Sequence, residues 1–254
     1  VNAEKDLNEA WDMLSAFPKT RPYLPPEYAP LYEKMYEDNR KGRDPASSLA
    51  LHLEKWMHHQ VCKISEFPVL ELGAGTLNHV PFESPSGVYD AVEPMSLLYQ
   101  NSSNRSRIGD IYASIHAIPD HKVYQRIVSV AVLEHVTDLP ATIARAALLL
   151  HPTGKMLSGI PTEGGLLWYL AWRFGTGSTF WLKHRLSYAP FMRHEHINSE
   201  AEIKEIINLF FEDVSVARYP FNIRHLSFYT AIEAAHPRRD IAQAYLSRIQ
   251  DRKS

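Results

Sequence analysis

Apolar positions fall into two regimes along the chain. Up to about residue 62 they recur at helical spacing. Leu7, Ala10, Trp11, Leu14 and Phe17 precede a break at Pro18, and Tyr28, Leu31, Tyr32, Met35 and Tyr36 follow. Leu49, Leu53, Trp56 and Met57 then share a face behind Asp44, a suitable N-cap, and Pro45 at the first helical position. Residues 1–62 therefore read as an N-terminal helical cap. From Phe67 the pattern switches to short apolar runs at 69–72, 89–92, 126–130 and 155–160, interleaved with helical stretches, which is how a parallel α/β sheet reads. One helix is predicted over 140–150, with Ile143, Ala147 and Leu150 inward and Gly154 closing the turn. Another starts at Ser199, where Ser199 and Glu202 match a capping box ahead of Ile203, Ile206, Ile207 and Phe210. Runs at 214–218 and 226–230 complete a domain over 63–236, and the polar stretch 237–254 reads as a tail that can end in a helix.

The stretch 161–198 breaks the alternation. It holds Trp168, Tyr169, Trp172, Phe174, Phe180, Trp181 and Tyr188 between glycines. Insertions of this length serve as lids or binding loops, so this one is expected to cover a crevice together with the N-terminal helices. Packing against the sheet edge is the other use for its rings.

Composition narrows the class. At 254 residues and 45% hydrophobic content the chain fills a sizeable core. With 27 Lys+Arg against 29 Asp+Glu, the net charge of -2 gives the whole chain no pull toward nucleic acid or anionic membrane, and only a local basic patch stays open. A lone Cys62 excludes an internal disulfide and suits a reducing, cytoplasmic setting. The charged first ten residues do not read as a signal peptide. The greasiest runs, 146–150 and 166–172, fall short of the roughly 20 apolar residues a membrane span needs.

Chemistry concentrates where Val69-Leu70-Glu71-Leu72 runs into Gly73-Ala74-Gly75-Thr76. Glycines there permit φ > 0 and let backbone amides approach a ligand. Eighteen residues beyond Gly75, Glu93 ends a second apolar run, the spacing at which a carboxylate holds ribose hydroxyls. The pair implies an adenosine-containing ligand. A dinucleotide site would need a third glycine and a helix N-terminus for the pyrophosphate. Asn78 stands in that glycine's place, and Pro81 and Pro85 leave room for one helical turn. A ligand without phosphates fits better.

This segment resembles the class I S-adenosylmethionine-dependent methyltransferases over about 67–163, and more weakly to Tyr229. The resemblance implies a Rossmann-like, mostly parallel seven-stranded sheet with the last strand antiparallel, S-adenosylmethionine as cofactor, and in-line transfer of its methyl to an oxygen, nitrogen or carbon of a small molecule. It implies that Glu71, Gly73, Ala74 and Gly75 line the methionine end and that Glu93, beside Pro94, takes the ribose. Asp110, with Ile111, would meet the adenine amino group. Ala131, in Ser129-Val130-Ala131-Val132-Leu133-Glu134-His135, would lie beneath the sulfonium. Metal-binding relatives carry an acid where Ala131 stands, so the metal reading loses a ligand.

Each position has an ordinary alternative: a solvated strand-end acid for Glu71, a turn residue for Glu93 before Pro94, a common Gly-Asp turn for Asp110. His135 is a base candidate, because a neutral imidazole accepts a proton as the methyl arrives, or a histidine tied to the backbone. His194-Glu195-His196 offers two more candidates, with a structural role as the alternative. A methyltransferase-like binding module without catalysis and a nucleotide-dependent oxidoreductase are the rival functions.

Overall fold

The computed structural model describes residues 3–31, 48–84 and 86–252, except the side chains of 48–53. Seven strands form one sheet: β1 (Val69–Leu72), β2 (Tyr89–Val92), β3 (Ile111–Tyr112), β4 (Tyr124–Val130), β5 (Leu150–Pro161), β6 (Phe211–Pro220) and β7 (Ser227–Pro237), in the order β3-β2-β1-β4-β5-β7-β6. β1 to β5 run parallel, and β7 lies between β5 and β6, antiparallel to both. Strand order reverses between β1 and β4, so a crevice opens at their carboxyl ends. The expected mostly parallel Rossmann-like sheet is present.

Both faces of the sheet are covered, which is why all four residues of β1 are buried. Leu70 and Leu72 face α4 (Leu139–Leu149), α8 (Glu200–Phe210) and α9 (Arg239–Asp251), whose buried side chains form the main core. Val69 faces Val61 of α2 (Ser48–Val61), and the short α3 (Ser96–Tyr99) follows β2. Asp138 caps α4 by accepting from the Ala141 amide, and the capping box of Ser199 and Glu202 opens α8.

Two expectations need correcting. Residues 1–62 do not form one cap: α1 (Ala3–Leu14) packs on α9 with the main core, whereas α2 lies on the opposite face against β4, β5 and β7. The predicted helix through Tyr32, Met35 and Tyr36 and the Asp44–Pro45 cap lie outside the described residues. The stretch 237–254 is more than a tail, because Ile241, Ala242 and Tyr245 of α9 are buried. Trp11 packs 6.4 Å from the Tyr245 ring, and the Arg248 and Arg252 guanidiniums lie over its indole at 3.7 and 4.4 Å.

The insertion is helical: α5 (Leu166–Ala171), a π turn (Trp172–Thr176), α6 (Gly177–His184) and α7 (Ala189–Glu195). Its Phe180 and Phe191 enclose Tyr28 in a small separate core. Among the described residues, no helix is long and apolar enough to cross a membrane.

Candidate functional site

β1 ends in a turn that needs the left-handed region, with φ of +66° at Gly73 and +49° at Gly75. Gly73 and Ala74 both donate their amides to the Val92 carbonyl, at 2.8 and 3.1 Å. The Gly75 amide donates to Glu93 Oε2 and the Met95 amide to Oε1, each at 2.9 Å, so one carboxylate clasps the turn to the end of β2. Pro94 beside it is exposed. A Cβ on Gly73 would strike Val132 at 2.5 Å, whereas one on Gly75 would meet nothing within 4 Å. Gly75 thus faces an open cradle. Ala131, at φ +53°, continues β4 and donates its amide to the Gly159 carbonyl at 2.8 Å. After the turn comes a 3-10 turn at Val80–Phe82, so among the described residues no α-helix follows the glycines before β2.

Glu71 lies beneath this turn, only 3% exposed, and accepts from the Tyr89 hydroxyl at 2.9 Å. Burial pushes its carboxyl up to about 8. Nearby, the fully buried Arg126 donates to Glu83 Oε2 (2.5 Å) and to the Val61 carbonyl (3.1 Å). Glu83 Oε1 pairs with His79 Nε2 at 2.8 Å, and His79 Nδ1 meets His58 Nδ1 at 3.0 Å. Burial, then the neighbouring His79, lowers His58 to about 4. Sequence reasoning missed this network.

The register sets Asp110 below the level of Glu93. Ala91 pairs with Ile111 and Val92 with Tyr112, and the Glu93 amide donates to the Tyr112 carbonyl at 2.9 Å. The segment that follows Tyr112, Ala113 and Ser114, therefore stands level with Glu93, while Asp110 sits lower. Its carboxylate is engaged by Lys122 (2.8 Å) and the Tyr112 hydroxyl (3.1 Å), whose hydrogen bonds hold it below the usual carboxylate range. Ile111 packs into the core on the α2 face.

Beyond Ala131, a 3-10 turn at Leu133–His135 brings the histidine candidates together. His135 Nδ1 donates to the Glu195 carbonyl at 2.8 Å, which leaves Nε2 unprotonated in the neutral ring. Burial, then the His196 charge, pulls its pKa down to about 4. The His196 ring stands edge-on, 4.8 Å away, and its Nδ1 bonds Glu163 Oε1, which also accepts from Trp168 Nε1 at 2.9 Å. For His196 burial opposes charge, but the Glu163 hydrogen bond and carboxylate, helped by Glu134 and Glu195, raise its pKa above 6.5. Glu134 is buried, its Oε2 has no partner, and desolvation lifts it to about 7. His194 is directed away, its Nδ1 bonding the Pro22 carbonyl at 2.8 Å.

A cavity of ≈ 480 Å³ opens beside this cluster, lined by Glu163, Trp168, Tyr169, Trp172, Met192 and His196 among others. Arg21 ties the N-terminal segment to the cluster, donating to the carbonyls of His194 (2.9 Å) and His135 (3.1 Å). Glu134 and Glu163 are the members that sequence reasoning did not single out. Their only signal was position, one beside His135 and the other two residues past the end of β5. Among the described residues no group of three or more His, Cys, Asp or Glu is placed to hold a metal.

No protein-family model matches the chain, and no protein of curated function matches it in sequence. Solved structures do match it in shape. A Thermotoga maritima S-adenosylmethionine-dependent methyltransferase, described as a possible histamine N-methyltransferase, superposes with TM-score 0.54 at 16% identity, over 82% of this chain and 96% of that one. The Bradyrhizobium japonicum N-methyltransferase NodS, bound to S-adenosylhomocysteine, gives 0.55 at 13%, over 83% and 98%. The Burkholderia thailandensis 1,6-didemethyltoxoflavin-N1-methyltransferase, with that substrate and S-adenosylhomocysteine bound, gives 0.53 at 18%, over 85% and 92%. The chain has the fold of the class I S-adenosylmethionine-dependent methyltransferases.

Proposed function

We propose that this protein is an S-adenosylmethionine-dependent methyltransferase acting on a small-molecule acceptor. The observation that carries the reading is the clasp of Glu93 on the Gly75 amide beside a cradle that any Cβ would fill. Glu93 has further lone pairs to accept both ribose hydroxyls, and the open space over Gly75 suits the methionine end. The segment from Ala113 to Ile115, level with Glu93, takes over the adenine contact expected of Asp110. Glu71, closed off below the turn, supports that turn through Tyr89 without touching ligand. Bound S-adenosylmethionine supplies an electrophilic sulfonium methyl, so alignment and exclusion of water are the protein's main tasks.

In this reading the aromatic cavity holds the acceptor. His196 carries the proton that leaves it, with Glu163 orienting the ring and stabilising its charge. His135, neutral and fixed by the Glu195 carbonyl, positions the ring of His196, and His194 ties the insertion to the N-terminal segment. The lone Cys62 suits a reducing compartment, and we place the activity in the cytoplasm.

The test is calorimetry with S-adenosylhomocysteine. Binding near the micromolar range is expected, with Glu93→Ala losing about 2–4 kcal/mol, the scale of two hydrogen bonds to a charged group. No heat at millimolar ligand, from protein with an unchanged melting curve, overturns the reading.

A further inference from the structure

Residues 164–194 contain no Asp or Glu but four cations, Arg173, Lys183, Arg185 and Arg193, in a chain whose acids outnumber its lysines and arginines. All four are exposed. Arg173, Lys183 and Arg193 form no ion pair among the described residues, and Arg185 stacks over the Trp181 ring at 4.7 Å. Large apolar side chains are exposed between these cations, beside hydroxyls but no acids. Phe174 is 71% exposed, Leu182 64% and Trp181 51%. Leu166, Leu170, Phe174, Ser178 and Leu182 fall four residues apart, and every one is exposed, so α5 and α6, joined through the π turn, present an apolar stripe to solvent. A helix in a soluble protein places polar residues there. The inward side of the segment is already satisfied, because Phe180 and Phe191 pack on Tyr28.

We propose that this stripe docks the protein on an anionic lipid bilayer, its aromatic and aliphatic side chains entering the boundary between headgroups and acyl chains while its four cations meet lipid phosphates. Aromatic and leucine side chains flanked by Lys and Arg, without acids, suit that boundary. A second copy is a poor occupant, since a two-fold contact would set the same cations against each other. Helices this short lie in the plane of the interface instead of crossing it. The cavity shares Leu166 and Tyr169 with the exposed surface of α5. An amphiphilic acceptor would thus enter sideways from the bilayer. That last clause rests on the methyl-transfer reading, whereas docking does not.

Vesicle flotation of the full chain tests it, comparing phosphatidylglycerol–phosphatidylcholine vesicles with phosphatidylcholine alone. The protein is expected to float with the anionic vesicles at low salt and to be released as ionic strength rises. The double variant Arg173→Gln, Lys183→Gln should weaken partition about 30-fold, and Phe174→Ser with Leu182→Ser should abolish flotation. Both keep the wild-type melting temperature, because all four positions are exposed. The proposal is overturned by absence of flotation with anionic vesicles at low salt, by flotation indifferent to both variants, or by a dimer in sedimentation velocity that Phe174→Ser dissolves. The assay uses neither cofactor nor acceptor, so its failure is distinguishable from failure of methyl transfer.

Discussion

Two clusters of buried ionisable groups sit on this sheet, and they differ in what burial has done to them. Beneath the glycine turn, Glu83 has both oxygens paired; burial alone would raise it, yet the hydrogen bonds from His79 and Arg126 hold it low. At the end of β4, Glu134 keeps an oxygen with no partner and is lifted to about 7, beside a histidine held above its ordinary value. A charge with its polar atoms paired acts as a fastener. One that titrates near neutrality at a crevice mouth is available for chemistry. The same residue types are therefore fully paired on one side and, on the other, left in the state that the proposed proton transfer would use.

The sharpest way to break this contrast is Arg126→Met, which leaves Glu83 buried without its cation. It should cost about 3–5 kcal/mol in urea unfolding. A loss under about 1 kcal/mol would mean that the lower cluster is no fastener. Next comes Glu71, also in the lower region but with a raised pKa. The folded state keeps a proton that the unfolded chain releases, so stability should fall as pH rises from near 4.5 to about 8 and then level off. Glu71→Gln, which mimics the protonated form, should remove that slope and be more stable than the wild type at alkaline pH. Equal slopes in both proteins would place the titration elsewhere. The smallest effect concerns the upper cluster. His196, raised by Glu163, contributes stability that is present below pH 6.5 and lost as pH passes its folded value. Glu163→Gln should lower the His196 pKa in an NMR titration, because the hydrogen-bonded carboxylate charge that raises it is removed. An unmoved pKa would detach the carboxylate from the imidazole.

What the sequence disclosed follows from the range of the forces involved. β1 and β2 were legible to the residue because a short β-rich run meets a glycine or an acid at its end. The capping box at Ser199 and Glu202 was legible because its partners are three apart. The level of Asp110 relative to Glu93 was not legible because β3 has only two residues, and a Gly-Asp pair carries no information about register. The His58–His79–Glu83–Arg126 chain was invisible because its members are scattered along the sequence and meet only when α2 packs on the sheet. Glu163 was missed for the same reason, since nothing local ties it to His196. α9 was hidden by its own solvent face: three buried side chains among many charged ones read as a tail.

The π turn at Trp172–Thr176 has a consequence for how this surface can change over generations. Such a turn holds one residue more than an α-helix of the same span. Gly175, around which a Cβ would meet nothing within 4 Å, is the natural residue to lose. Its deletion would relax the turn into an unbroken helix, and because the bulge alone takes up the extra residue, α6 would keep its place and its face. The greasy edge through Phe174 and Leu182 thus tolerates a change of one codon in length at this point, with no substitution in the sheet or the crevice.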